Sequence, residues 1–348
     1  MDASLQPVTR SAVFWLAALL VVAATVAPNA TYFRTVDRNA DIAFIFRDSL
    51  ALADGGSPYT RILQGDMRTN DKYSTYFPLF YCAAALTQNL GLRVYGEWLA
   101  FWRVVFAGFD VAIALLLLTV VWRRGLAAFA LFAALFWAWN RWTLFEVLVA
   151  QIDFIPIFFL LLALVLLERR PDAAMLLLGV SLAAKQIAIF LVPLFLIHAW
   201  SHAVPELRPR AVVRALLLIG AVPLAFSLPF LWSEPEAYVR SILFSATRLP
   251  RSHFGAPSID EVVGLVGLPA KIPMLGLMGI VYAYALGGRV GMSMASLLVM
   301  SVFVDFNSVL YTHYPCWVVP LLVLAACDAM APAAAAVHDL HLPRTPSP

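Results

Sequence analysis

Residues 76–92 read Tyr-Phe-Pro-Leu-Phe-Tyr-Cys-Ala-Ala-Ala-Leu-Thr-Gln-Asn-Leu-Gly-Leu, and how this stretch is counted decides how the chain is threaded. It is apolar and close to the length of about 20 residues that a helix needs to cross a bilayer, yet Pro78, Gln88 and Asn89 interrupt it. Counting it as a span, or as a segment lying along the interface, reverses the side on which every later loop falls. Loop charge settles the matter, because short loops rich in Lys and Arg stay in the cytoplasm. With 76–92 at the outer interface and the N-terminus inside, Arg10, Arg123, Arg124, Arg169, Arg170, Arg208, Arg210, Arg214, Arg289 and Arg344 all fall on the cytoplasmic side. Counted as a span, the segment would move Arg123, Arg124, Arg169 and Arg170 outside. It is therefore expected to form a re-entrant or interfacial helix, with both chain termini cytoplasmic.

Composition makes the question one of membrane topology in the first place. A 62% share of hydrophobic residues, 13% charged residues and a mean hydropathy of +0.83 exclude an ordinary soluble globule. Apolar runs at 11–30, 98–122, 125–145, 150–167, 173–185, 186–200, 211–232, 269–287, 291–306 and 314–331 predict an all-α, multi-pass bundle of about ten transmembrane helices. The run after Arg10 reads as a retained signal anchor, since further hydrophobic segments follow it. Residues 1–331 are expected to make a single membrane domain, and the Ala- and Pro-rich residues 332–348 a disordered cytoplasmic tail. The basic residues lie in pairs at the ends of apolar runs, which excludes a nucleic-acid-binding face. Cys82, Cys316 and Cys327 have neither metal spacing nor a disulfide pattern, and the sequon at Asn29 is read as chance.

The threading places residues 31–97 on the outer side. This is a long polar interval holding Asp37, Arg38, Asp41, Arg47, Asp48, Arg61, Asp66, Arg68, Asp71 and Lys72. Residues 41–48 can form a short helix on the membrane surface with Asp41 and Asp48 two turns apart on one side, closed by Gly55-Gly56-Ser57-Pro58-Tyr59. Lys185 interrupts the apolar stretch 173–200 near the same interface. An ionisable group there costs at least about 2.5–3.5 kcal/mol if it reaches the bilayer centre, so it marks a functional candidate, suited to meeting a lipid phosphate. Gln151 and Asp153 sit similarly at the outer start of a span, with Glu146 shortly before them. Arg248, Arg251 and His253 belong to a later outer loop, and His313 and Tyr314 to the last one. Asp110 is almost alone as a charged candidate near a midplane. No internal repeat or inverted pair of broken helices is visible, which argues against a secondary transporter.

Asp41 with its short helix, Gly56-Ser57-Pro58-Tyr59 and Tyr76-Phe77-Pro78-Leu79-Phe80 resemble the first outer loop of the GT-C class of polyprenyl-phosphate-sugar-dependent glycosyltransferases. The likeness is greatest to the GT87 mannosyltransferases and to the catalytic subunit of GPI mannosyltransferase I. Ala150-Gln151-Ile152-Asp153, Glu168-Arg169-Arg170, Ala184-Lys185-Gln186 and His313-Tyr314-Pro315 agree in order and spacing. The resemblance implies a GT-C-like bundle in a bacterial inner or plasma membrane. It implies transfer of a sugar, mannose as the first choice, from a polyprenyl-phosphate donor to a lipid or glycan acceptor on the non-cytoplasmic face, with inversion. Asp41 would be the general base. Lys185 would hold the phosphate with help from Arg248, Arg251 or His253, and Asp48, Tyr59, Gln151, Asp153, His313 and Tyr314 would line the substrates. No cofactor is expected, and Ala43 stands where an Asp-x-Asp pair would need its second carboxylate. The competing classes are a transporter or flippase of a lipid-linked or small polar substrate, and a membrane scaffold whose outer loop is a partner surface.

Overall fold

The computed structural model describes residues 7–36, 41–65, 72–247, 258–265, 268–307, 310–311 and 313–340, and among them there are helices and no strand. The chain begins with α1 (Pro7–Tyr32), followed in the outer loop by α2 (Asp41–Ala53) and α3 (Leu79–Asn89). Next come α4 (Tyr95–Arg123), α5 (Ala127–Trp139), α6 (Arg141–Val149), α7 (Phe154–Leu166) and α8 (Pro171–Ala184). A 3-10 turn at Gln186–Leu191 leads into α9 (Val192–His202), and then follow α10 (Arg208–Ser233), α11 (Pro235–Thr247) and α12 (Ile259–Val263). The chain ends with α13 (Lys271–Leu286), α14 (Met292–Asp305), a 3-10 turn at Tyr314–Trp317 and α15 (Val319–Leu340).

Three helical segments, Ser11–Tyr32, Tyr95–Arg123 and Pro205–Ser233, are long and apolar enough to cross a membrane, and shorter apolar helices of 10–17 residues accompany them. Their outward faces are apolar too. Leu16 and Leu19 on α1, Leu217 and Trp232 on α10 and Ile272 on α13 are all well exposed, as side chains facing lipid would be. The core lies between the helices, where α7 and α8 pack on each other, α8 packs on α10, and α4 packs on α1, α5 and α7. Gly179 sets the α8–α10 distance, because a Cβ there would lie 2.5 Å from the Ile219 carbonyl oxygen. Small residues at helix contacts do this work in membranes, where lipid gives helices no hydrophobic reason to associate.

With 11 residues, α3 spans about 16 Å at 1.5 Å per residue, well short of the roughly 30 Å hydrocarbon layer. It packs along α2 and touches α8. Asp110 is buried and satisfied: its two carboxylate oxygens accept from Asn29 Nδ2 and Trp137 Nε1, each at 2.8 Å. This knot ties α1, α4 and α5 together and commits the sequon asparagine's amide.

Composition predicts a disordered tail from Pro332, and the last described helix, α15, ends at Leu340. Residues 341–348 lie outside the described set.

Candidate functional site

Three breaks in the helices bring the polar residues together at one end of the bundle. The first separates α5 from α6. Asn140 caps α6, its Oδ1 accepting from the backbone N–H groups of Trp142 and Thr143 at 3.0 Å. At the far end of α6, Ala150 adopts a left-handed conformation with φ 53°. The turn that follows holds Gln151 and Asp153, both buried, and buried Glu146 lies on α6 beside them. The second break is Lys185, whose extended backbone (φ −162°, ψ 130°) separates α8 from the 3-10 turn. Gln186 Nε2 donates to the Thr75 carbonyl at 2.5 Å and fastens this break to the outer loop. The third is the segment between α14 and α15, which carries Tyr311, His313 and Tyr314.

A cavity of about 480 Å³ opens among these breaks. Its lining combines polar side chains, Asp41, Asp48, Lys72, Lys185, Lys271 and Tyr314 among them, with apolar ones such as Ile187, Phe190, Ile242, Met274, Leu275 and Phe303. The charged groups are already paired with one another. Lys72 Nζ reaches Asp41 Oδ1 at 2.6 Å and lies over the Tyr311 ring at 5.7 Å. Lys185 Nζ meets Asp153 Oδ1 at 2.5 Å between the rings of Tyr76 (5.0 Å) and Trp317 (5.5 Å), and Lys271 Nζ meets Asp260 Oδ2 at 3.0 Å. Such pairing is what lets three ammonium groups stand among apolar side chains.

Asp41 is the first residue of α2, where the helix dipole favours a carboxylate. Burial pushes its carboxyl pKa up, but the Lys72 ammonium, helped by Lys185, outweighs burial and holds it below the ordinary value. His313 is stacked between Phe145 and Tyr311, with Nε2 3.8 Å from Glu146 Oε1. Burial lowers its pKa to about 4, more than the pull of Asp153 raises it, so the ring is neutral at pH 7.

The predicted site residues divide into four groups. Asp41, Asp48, Lys185 and Tyr314 line the cavity, whereas Asp153, Gln151 and His313 form a buried layer beyond that lining. Tyr59 is not at the site. It is buried in an aromatic cluster with Tyr81, Phe230 and Tyr238, its hydroxyl donating to the Tyr76 carbonyl at 2.9 Å, because a large ring beside a Gly-Gly-Ser-Pro turn serves to anchor the loop. Arg248, Arg251 and His253, like Asp37, Arg38, Asp66, Arg68 and Asp71, lie outside the described residues. Two expectations change in detail. Asp48 is saturated by Ser74 (2.8 Å) and Arg47 (2.7 Å), so it holds the loop together. Lys185, with no acidic neighbour in sequence, has one in space.

Some participants are not marked as site residues by anything local in the sequence. Lys72 reaches Asp41 across 31 positions, and Lys271 comes from a helix that reads as a plain span. Arg103, buried on α4, donates to the Val147 and Leu148 carbonyls at the end of α6 and to the Thr35 carbonyl, holding the Gln151 turn in place. Glu146, Asp153 and His313 each bring one ligand atom within 4.8 Å of the others, a grouping that could hold a metal ion. The Lys185 ammonium already supplies the positive charge that Asp153 needs there. Compared with family models, curated proteins and solved structures, the chain matches none.

Proposed function

We propose that this chain is a membrane glycosyltransferase of the GT-C type, with about ten spans, that moves a sugar from a polyprenyl-phosphate donor to a lipid or glycan acceptor on the non-cytoplasmic side. The observation that carries this reading is that Asp41 and Lys185 line one cavity together with apolar side chains, among them Ile187, Phe190, Met274 and Leu275. A polyprenyl phosphate has a matching combination, an anionic head on a hydrocarbon tail. Ile189 and Leu275 in that lining are 41% and 53% exposed, apolar surface that a prenyl chain would cover while its head meets the charged groups.

The chemistry suits the groups. The acceptor hydroxyl attacks the anomeric carbon, the bond from that carbon to the phosphate oxygen breaks with its electron pair, and the polyprenyl phosphate leaves as an anion. That leaving group needs no proton. It needs cations, which Lys185 and Lys271 supply. The acceptor's proton passes to Asp41. With Oδ1 held by Lys72, Oδ2 is the oxygen that receives it. A carboxylate of lowered basicity is adequate, because in an oxocarbenium-like transition state the acceptor oxygen becomes acidic as its bond to carbon forms. Mannose is the sugar proposed, on resemblance. The transporter alternative is weakened by Asp110, whose two carboxylate oxygens are used in helix association.

Reconstituted protein supplied with radiolabelled polyprenyl-phosphate mannose and a membrane extract as acceptor source tests the reading. Asp41→Asn, folded and inserted, is expected to lose transfer by about 10²–10⁴-fold, the usual contribution of a general base. Undiminished transfer by the variant would remove Asp41 from the mechanism. Passage of label into sealed vesicles without a new glycosidic bond would point to transport.

A further inference from the structure

At the opposite end of the bundle, Glu168, His198 and His202 stand together. The geometry points to a binding site for a divalent transition-metal ion, with Zn²⁺ the best fit. The site is distinct from the cavity: α8, with 14 residues and about 21 Å of length, separates Lys185 at its C-terminal end from the turn holding Glu168 before its start.

His198 and His202 are one helical turn apart on α9, so both rings leave the same face, stacked with centroids 3.9 Å apart. Glu168, in the turn after α7, reaches both. Its Oε1 is 3.7 Å from His198 Nδ1 and its Oε2 is 3.7 Å from His202 Nε2. These separations are too long for hydrogen bonds. They are close to the spacing of two ligands on one tetrahedral metal, which at bond lengths of about 2.1 Å lie about 3.4 Å apart. One donor atom from each of the three residues falls within 4.8 Å of the others. A second feature orients the ligands. His202 Nδ1 lies 2.9 Å from the His198 carbonyl oxygen, so Nδ1 carries the proton and Nε2 presents its lone pair toward Glu168. Metal-bound histidines are held by this arrangement.

Two imidazoles and one carboxylate select Zn²⁺, Co²⁺ or Ni²⁺ over Mg²⁺ and Ca²⁺, which prefer all-oxygen ligands. The fourth position falls to water, since the His202 and Glu168 side chains are 60% and 67% exposed. A bound ion would pin the α7–α8 turn to the end of α9.

The test uses the full chain in detergent, with its affinity tag removed and metal stripped by a chelator, titrated with Co²⁺ and then with competing Zn²⁺. One equivalent of Co²⁺ with the intense visible absorption of a tetrahedral site is expected. Removing a group that only orients a ligand changes metal affinity about 10–100-fold, so losing a ligand itself in His202→Ala or Glu168→Gln should weaken binding by at least about 100-fold. Both positions are exposed, and thermal unfolding in chelator should match the parent protein. The wild type should gain thermal stability on adding Zn²⁺, and the two variants should not. No saturable Co²⁺ binding by the wild type, or binding unchanged in both variants, would overturn the proposal.

Discussion

The Asp41 and Lys72 pair sets the working state of the proposed base. Burial alone would raise the Asp41 carboxyl; Lys72 is the main influence opposing it. The acid limb of the transfer rate should therefore lie below the ordinary carboxylate range, and in Lys72→Met it should move to higher pH, measured as the pH profile of kcat/KM. A limb that stays in place would mean that Asp41 does not titrate in the reaction. His313 makes a separate prediction about stability. Its folded-state pKa of about 4 lies below the unfolded value near 6.5. Between those values the unfolded chain binds more protons, so stability is full above about pH 6.5 and falls as pH falls toward 4. The loss by pH 5 is about 2 kcal/mol at most. Thermal unfolding in detergent should show it in the wild type, and His313→Gln should lack that share. Asp41, Lys185 and Asp153 stand out in the sequence because each is an ionisable group beside a hydrophobic run, whereas Tyr314 was marked only by the resemblance. Lys72 was visible only as one charge among many, since its partner is 31 positions away and nothing local marks the return.

Elements were legible where hydrophobic length decides them. The long runs became α1, α4 and α10, and 76–92 holds the short α3, which starts after Pro78. The breaks were harder. The apolar run 125–145 hides the cap at Asn140, which divides it into α5 and α6, because hydropathy averages over a single capping residue. Gly179 was equally silent, as its role lies in the backbone of α10. Gly179→Ala forces that contact apart or shifts α8, which carries Lys185 at its end. It should cost about 1–3 kcal/mol, seen as a lower midpoint of thermal unfolding in detergent. The nearby Gly220, whose Cβ would meet only the Leu224 side chain at 3.4 Å, is the control and should be affected less.

The whole molecule has an apolar flank and two polar ends that differ in kind. One end gathers paired carboxylates and ammonium groups around a cavity lined in part by apolar side chains; the other carries Arg124 paired with Asp328 and Arg214 with Asp172. The cavity was not readable in the sequence, since it requires residues from five helices, two 3-10 turns and two loops to converge. The central claim is that the cavity holds a prenyl-linked phosphate. Native mass spectrometry with added polyprenyl phosphate, comparing the wild type with the charge-neutral double variant Lys185→Gln and Asp153→Asn, tests it most directly. Removing both partners avoids stranding a buried charge. The account predicts one bound lipid on the wild type and affinity weaker by about tenfold or more in the double variant, the worth of a hydrogen bond to a charged group. A wild type that retains no polyprenyl phosphate, or a folded double variant that binds it equally well, would contradict the account.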